Sequence, residues 1–299
     1  MKAIELVKPV LPVLRQENKA ILLWRQLSRG GRGALVMLAT MAFIAMAAPL
    51  LCEHSHRISS GPALSAPSIA HPMGTDELGV DLWAQIAYGA RISLLVGAVT
   101  ALISCLFGAV VGIACGYMGG LTDRLFMRLI DILLVLPDLP VMIVLAAFFG
   151  PSVITIIIVL SAFSWVTTAR IVRSRVLILK ERRYIKAAEM YGAGTMYLMR
   201  RHFLPEIMSL AAVGMIRLAG RAVVAEAALS FLGLGDPTSR SWGLIMHHAL
   251  SFKGIYYTDF WKWWLVFPWL ALTLLVTSLA LLGRDLETIA DPRMRTSRC

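Results

Sequence analysis

From Ile92 to Met118 the chain runs for 27 residues without an Asp, Glu, Lys or Arg. A bilayer core of about 30 Å is crossed by roughly 20 apolar residues in helix. Such a segment has few places in a water-soluble fold, and the rest of the sequence points the same way. Of 299 residues, 58% are hydrophobic, only 16% are charged, and the mean hydropathy is +0.72. A soluble chain is about half apolar and about a quarter charged. A disordered chain, a collagen, a disulfide scaffold and an ordinary soluble enzyme are thereby excluded. The sequence predicts an all-α membrane protein with six transmembrane helices.

The six apolar stretches are Ala34–Leu51, Ile92–Met118, about Leu125–Gly150, Val153–Ala169, about Ile207–Leu234 and Trp263–Gly283. Pro137-Asp138-Leu139-Pro140 interrupts the third, and Gly150-Pro151-Ser152 turns it into the fourth. Orientation follows from Lys and Arg in the connections. Residues 1–33 hold Lys2, Lys8, Arg15, Lys19, Arg25, Arg29 and Arg32. Residues 170–205 hold Arg170, Arg173, Arg175, Lys180, Arg182, Arg183, Lys186, Arg200 and Arg201, and the tail holds Arg284, Arg293, Arg295 and Arg298. The opposite side is poorer, with Arg57, Arg91, Arg240, Lys253 and Lys262. Both termini and the 170–205 loop are therefore expected in the cytoplasm. The net charge of +11 reads as a topology signal, and no nucleic-acid partner is expected.

This gives a cytoplasmic segment 1–33, a first span 34–52, an external segment 53–91, a five-helix core 92–283 and a cytoplasmic tail 284–299. The core carries a cytoplasmic loop 180–205 and an external loop 235–262. Ala45-Met46-Ala47 resembles a signal-peptidase site and Leu51-Cys52 faintly a lipobox. The long stretch before them and the bulk of Leu51 favour an uncleaved span. Trp261-Lys262-Trp263-Trp264 reads by composition as an interfacial aromatic belt. Cys52, Cys105, Cys115 and Cys299 form no C-x-x-C pair, and the two within the apolar run read as small buried hydrophobes.

The most informative segment is Arg182-Arg183-Tyr184-Ile185-Lys186-Ala187-Ala188-Glu189-Met190-Tyr191-Gly192-Ala193-Gly194-Thr195, continuing to Met199-Arg200-Arg201-His202-Phe203-Leu204-Pro205. Residues 182–191 read as a short helix that Gly192 stops in a left-handed cap. Thr195 is placed to N-cap a second short helix, and Pro205 fits the first turn of the fifth span. Ala187-Ala188 leaves a smooth patch that another backbone can approach. The plainer reading, a basic solvated loop that only sets topology, fits the local pattern too.

Two alanines, three residues, glycine, nine residues and then x-x-Leu-Pro is the spacing of the EAA loop of ABC importer permeases, and here the chain resembles that family. Lys186 and His202 depart from the general pattern, where Glu and Ile are common. The match extends to His71-Pro72-Met73-Gly74-Thr75-Asp76-Glu77-Leu78-Gly79-Val80-Asp81 and Tyr88-Gly89-Ala90-Arg91-Ile92-Ser93-Leu94. These resemble the approach to the second span in dipeptide, oligopeptide and nickel permeases. Gly116-Tyr117-Met118-Gly119-Gly120, Met127–Leu133 and Leu136-Pro137 are similar to their next block. Glu226–Gly235, Ser241-Trp242-Gly243 and Asp291-Pro292-Arg293 are similar to later ones. Val80 stands where Arg is usual, and Gly283-Arg284-Asp285-Leu286 shortens Gly-Asp-Gly-Leu. The resemblance covers about residues 70–295 and implies a type I ABC importer permease architecture in the inner membrane of a prokaryote. It implies that Ala187, Ala188, Gly192, Leu204 and Pro205 couple to an ATPase. Implied partners are a second homologous permease, two cytoplasmic P-loop ATPases and an external solute-binding protein. The chain would bind no cofactor, ATP and Mg being used by the ATPases. The cargo would be a peptide, nickel or a metal chelate.

Charges inside spans cost about 2.5–3.5 kcal/mol each on the insertion scale and default to functional hypotheses. Arg128 and Asp131, three apart, are expected to pair. Arg217 and Arg221 share a face, and with Glu226 they are the candidate translocation-path residues, against a structural ion pair or snorkelling. Asp138 between two prolines marks a cavity or a kink. His54, His56, His71, His247 and His248 fall outside without clear ligand spacing, so no metal site is assigned. No G-x-x-x-x-G-K-[ST], G-x-S-x-G, H-E-x-x-H or full dinucleotide fingerprint occurs, and no catalytic residue is expected. The rival readings are a membrane-embedded enzyme, which lacks a nucleophile–base pair here, and a self-sufficient secondary transporter, which usually shows two internal halves.

Overall fold

A computed structural model describes residues 24–290 of the chain. Lys2, Lys8, Arg15, Lys19, Asp291-Pro292-Arg293, Arg295, Arg298 and Cys299 lie outside the described residues. The long helices are α1 (Arg29–Leu51), α2 (Leu82–Met118), α3 (Gly120–Val135), α4 (Asp138–Phe149), α5 (Val153–Lys180), α8 (Leu204–Leu229) and α11 (Val266–Ala290). Short helices α6 (Arg183–Met190) and α7 (Thr195–Leu198) join α5 to α8. Two more, α9 (Trp242–Ser251) and α10 (Trp261–Trp264), lie between α8 and α11. Four helical stretches are individually long and apolar enough to cross a membrane. Two bent pairs, α3 with α4 at 92° and the α7–α8 run at 42°, raise the number to six.

The helices outrun the apolar stretches from which they were predicted. α2 begins at Leu82, ten residues before the uncharged run. Its start is fixed by Asp81, whose Oδ2 accepts from Ala84 N at 2.8 Å while Oδ1 lies 3.0 Å from His71 Nδ1. Asp76 pins the turn before it, accepting from Leu78 N and Val80 N at 2.9 Å each and from Gln85 Nε2 at 2.7 Å. The expected external boundary at 91 therefore falls inside a helix. α5 likewise runs to Lys180, so Arg170, Arg173, Arg175 and Lys180 sit on its last three turns and not in a loop.

The expected Arg128–Asp131 pair is not formed. Asp131 binds Arg170 across to α5 at 2.7 Å, and Asp123 takes the Arg173 fork at 2.5 and 2.6 Å. An Arg128–Asp131 pair within α3 would leave Arg170 of α5 without its anion, whereas the cross-helix arrangement supplies it.

Close packing centres on α2 and α5. Gly108, Gly112 and Gly116 repeat every fourth residue, so they form one stripe along α2. A Cβ at Gly112 would sit 2.6 Å from the Ala169 carbonyl oxygen and 2.8 Å from Val172 Cβ. Only a bare backbone admits α5 this closely, the usual basis of helix packing in lipid. Cys105 and Cys115 are buried, as expected. The Trp cluster is a correction. Trp263 and Trp264 are buried with Met41, Leu82, Trp242 and Leu275 in the core opposite the α6–α7 side. They fill the gap where α9 and α10 fold back on α1, α2 and α11, and of the three tryptophans of α10 Trp261 alone stays substantially exposed.

Candidate functional site

The α6–α7 element is built from outside in. Helix α6 ends in a Schellman turn: Ala193 N donates to Ala188 O at 3.0 Å, and Gly192 N to Glu189 O at 2.9 Å. Gly192 is left-handed there, with φ +81°, as the sequence predicts. Thr195 does not N-cap. Gly194 holds that position, and the Thr195 Oγ1 accepts instead from Tyr117 Oη at 3.2 Å. Pro205 sits in the first turn of α8, but α8 is not a fresh start. A π turn over Met199–Phe203 runs straight into it, which suits a residue without an N–H to return to the preceding turn.

Ile185, Leu198, Phe203 and Ile207 are buried against Ile113 of α2 and Val172, Val176 and Leu179 of α5. Tyr117 meets the Phe203 ring edge-on at 5.6 Å, Lys180 Nζ donates to Tyr117 O at 3.1 Å, and Arg175 is paired with Glu206. Lys186 pairs with Glu181, whose carboxyl is held below its ordinary range by that hydrogen bond and charge. The element is thus clamped to the ends of three long helices. Its outer face is bare and rich in aromatic and Met side chains: Tyr184, Met190, Tyr191, Met196 and Tyr197 are exposed, Tyr191 at 94%, among the exposed charges of Arg182, Arg183, Lys186, Glu189, Arg200 and Arg201. Ala187, Gly192, Leu204 and Pro205 are exposed beside them. Ala188 differs. It is half-buried against the clamp, so only Ala187 of the alanine pair presents itself outward.

A second feature is a half-open cavity of about 560 Å³ between α3–α4, α5, α8 and α11. Most of its wall is aliphatic. Its charged lining residues are Asp138, Arg217, Arg221, Arg284 and Glu287. Arg217 Nη1 binds Glu287 Oε1 at 2.6 Å. Arg221, Arg284 and Asp138 are exposed to the cavity side and take no side-chain partner among the described residues. The two arginines named from the sequence therefore share the cavity, and Asp138 marks it as well as the kink.

Glu226 does not join them. It is 1% exposed, and accepts from Ser230 Oγ at 2.7 Å and Ser93 Oγ at 3.3 Å between α2 and α8. At 3.6 residues per turn, nine residues place it about half a turn away from Arg217. Glu287 was missed because the last apolar stretch was ended at Gly283, although α11 continues to Ala290. The signal was present: Arg284 and Glu287 are three residues apart, the spacing of one helix face. The glycine stripe of α2 was also legible and passed over. Among the described residues no group of three or more His, Cys, Asp or Glu is arranged for a metal. His71 is taken up by Asp81, and His56 stacks on Tyr88 at 3.9 Å.

A profile described as binding-protein-dependent transport system inner membrane component matches residues 108–296. The chain is 38% identical to the dipeptide transport system permease protein DppC of Bacillus subtilis, over 91% of this chain and 85% of that protein. It is 33% identical to the oligopeptide transport system permease protein OppC of the same organism, over 87% and 85%. It is 34% identical to the glutathione transport system permease protein GsiD of Pectobacterium atrosepticum, over 77% and 75%.

Proposed function

The chain belongs to the family of binding-protein-dependent transport system inner membrane components, and from that premise we propose how this subunit works. It is a multi-pass membrane permease of an ABC importer of the peptide family, a family of transporters and not of enzymes. In our reading the 180–205 loop is its handle. The bare outer face of α6–α7 docks into a cytoplasmic ATPase, with Ala187, Gly192, Leu204 and Pro205 at the contact and Ala188 holding the element to its clamp. The loop side and both termini are then cytoplasmic.

Two P-loop ATPases use ATP and Mg, a second homologous permease completes the pathway, and an external binding protein delivers the solute. This chain holds no cofactor. The cavity is its half of the translocation path, with Arg217 and Arg221 in the wall. Its solute is a peptide, the cargo class in the names of its relatives.

The observation that carries this reading is the combination of a bare face rich in exposed Tyr and Met with a rigid clamp behind it. Exposed apolar surface of this kind marks an interaction site. Because Leu198, Phe203 and Ile207 link the element to α8, a pull on α6–α7 moves the helix that carries Arg217 and Arg221. A swing of α8 against α11 then opens or closes the cavity, as in other rigid-body transitions. Affinity purification in mild detergent tests the assembly. It should recover two ATPase chains and one other multi-span protein, with peptide uptake on adding the binding protein and ATP. Peptide uptake by the lone chain without ATP would contradict it.

A further inference from the structure

The register of α8 against α11 leaves Arg221 exposed to whatever enters. Gly283 lies opposite Arg217, and Gly220 lies opposite Leu279. At the level of Arg221, α11 therefore presents Leu279, Ala280 and Val276, with no acid. The single acid of α11 in the cavity wall, Glu287, is held by Arg217 at 2.6 Å. Arg221 thus keeps its guanidinium fork free on an apolar wall. Arg284 is likewise without a side-chain partner among the described residues, and the one uncompensated acid of the lining is Asp138, where the 92° break between α3 and α4 brings it to the same cavity. Asp138 and Arg221 are not within ion-pair distance of each other or of any other described charge.

Unpaired charges of both signs facing one aliphatic cavity, yet held apart, suit a solute that carries both signs itself. A guanidinium is suited to a carboxylate by its two parallel donors. A carboxylate elsewhere in the lining is suited to an ammonium. We infer that the cavity holds zwitterionic solutes by their two ends, the carboxylate on Arg221 and the ammonium on Asp138. The aliphatic wall between takes side chains of varied shape. This rests on the reading of the cavity as the path and adds what the path recognises.

The test is equilibrium binding of labelled trialanine, trialanine amide and N-acetyl-trialanine to the purified permease–ATPase complex without the binding protein. Arg221→Gln should weaken trialanine by about tenfold and leave the amide within about twofold. Asp138→Asn should weaken trialanine similarly and leave the N-acetyl peptide within about twofold. Variants that weaken all three peptides alike, or none, would overturn the inference, as would no wild-type binding at millimolar peptide. The path itself is read separately, by thiol labelling of Ala225→Cys, which lines the cavity. Blocked uptake there with undiscriminating charge variants sinks the zwitterion claim alone. Unaffected uptake in the labelled complex sinks the path and the claim together.

Discussion

Arg91 of α2 places its guanidinium on the carbonyl oxygens of Ala45 (2.5 Å) and Met46 (3.0 Å) of α1. Ala45 is the residue whose carbonyl loses its intrahelical donor to Pro49. An orphaned carbonyl within an apolar helix is costly, and here a cation from the neighbouring helix answers it. The same side chain lies over the Tyr88 ring at 4.8 Å. Arg91→Met keeps the stem and removes the donors. It should cost about 1–3 kcal/mol, seen as a lower Tm of the purified complex. Pairing it with Pro49→Ala, which restores the donor, should recover most of the loss.

The stripe on α2 gives a steric prediction. Gly112→Val would drive a side chain into Ala169 and Val172 of α5. Overpacking of this kind costs about 1–3 kcal/mol. The yield of folded protein should fall, while Val at Gly119, where nothing lies within 4 Å of an added Cβ, should meet no steric clash and lose only what its φ of +63° demands.

Glu226 separates two roles. As a buried acceptor for Ser93 and Ser230, it should tolerate Glu226→Gln with uptake largely intact. Glu226→Ala should lower thermal stability by about 1–3 kcal/mol because both hydroxyls lose their acceptor. Loss of uptake in the Gln variant at wild-type stability would restore Glu226 to the path.

Two histidines of the 53–81 and 235–262 segments set a pH dependence. Burial, then the positive charge of Arg57, holds His56 below its ordinary value of 6.5. Burial, then Arg240 and His247, does the same for His248. In both the fold favours the neutral ring, so the unfolded chain binds more protons. The stability they contribute is complete above pH 6.5 and is lost as pH falls through the window beneath it. Thermal melts between pH 7.5 and 5.5 should show a decline that His248→Gln lessens.

Much of this was legible in one sequence, for reasons of period and spacing. Uncharged runs announce spans, because a bilayer has no partner for a charge. The Gly192 cap and the Pro137–Pro140 break are local chemistry, and both stand where they were expected. Helix ends were harder. α2 reaches back to Leu82 through residues as polar as Gln85 and Arg91, because Asp81, His71 and Asp76 form a cap that hydropathy does not register. Charge partners were harder still. Asp131 chooses Arg170, 39 positions away, over its neighbour Arg128, and no local rule supplies that. The buried Trp263 and Trp264 look from composition like a membrane-surface belt, since composition does not reveal that α9 and α10 fold inward. Glu226, by contrast, was readable: helical arithmetic alone turns it away from Arg217.

Coupling requires that α6–α7 be held by a motor subunit during transport. Tyr191, 94% exposed at the tip of that element, is the place to measure it. A photo-crosslinking residue at position 191, in the full complex turning over ATP in membranes, should join this chain to an ATPase subunit with high yield. Substituting Gly192→Pro, which removes the left-handed turn beneath that tip, should abolish both the adduct and uptake while membrane insertion survives. An adduct to lipid or solvent only, with uptake proceeding normally, would mean that α6–α7 is not the ATPase contact.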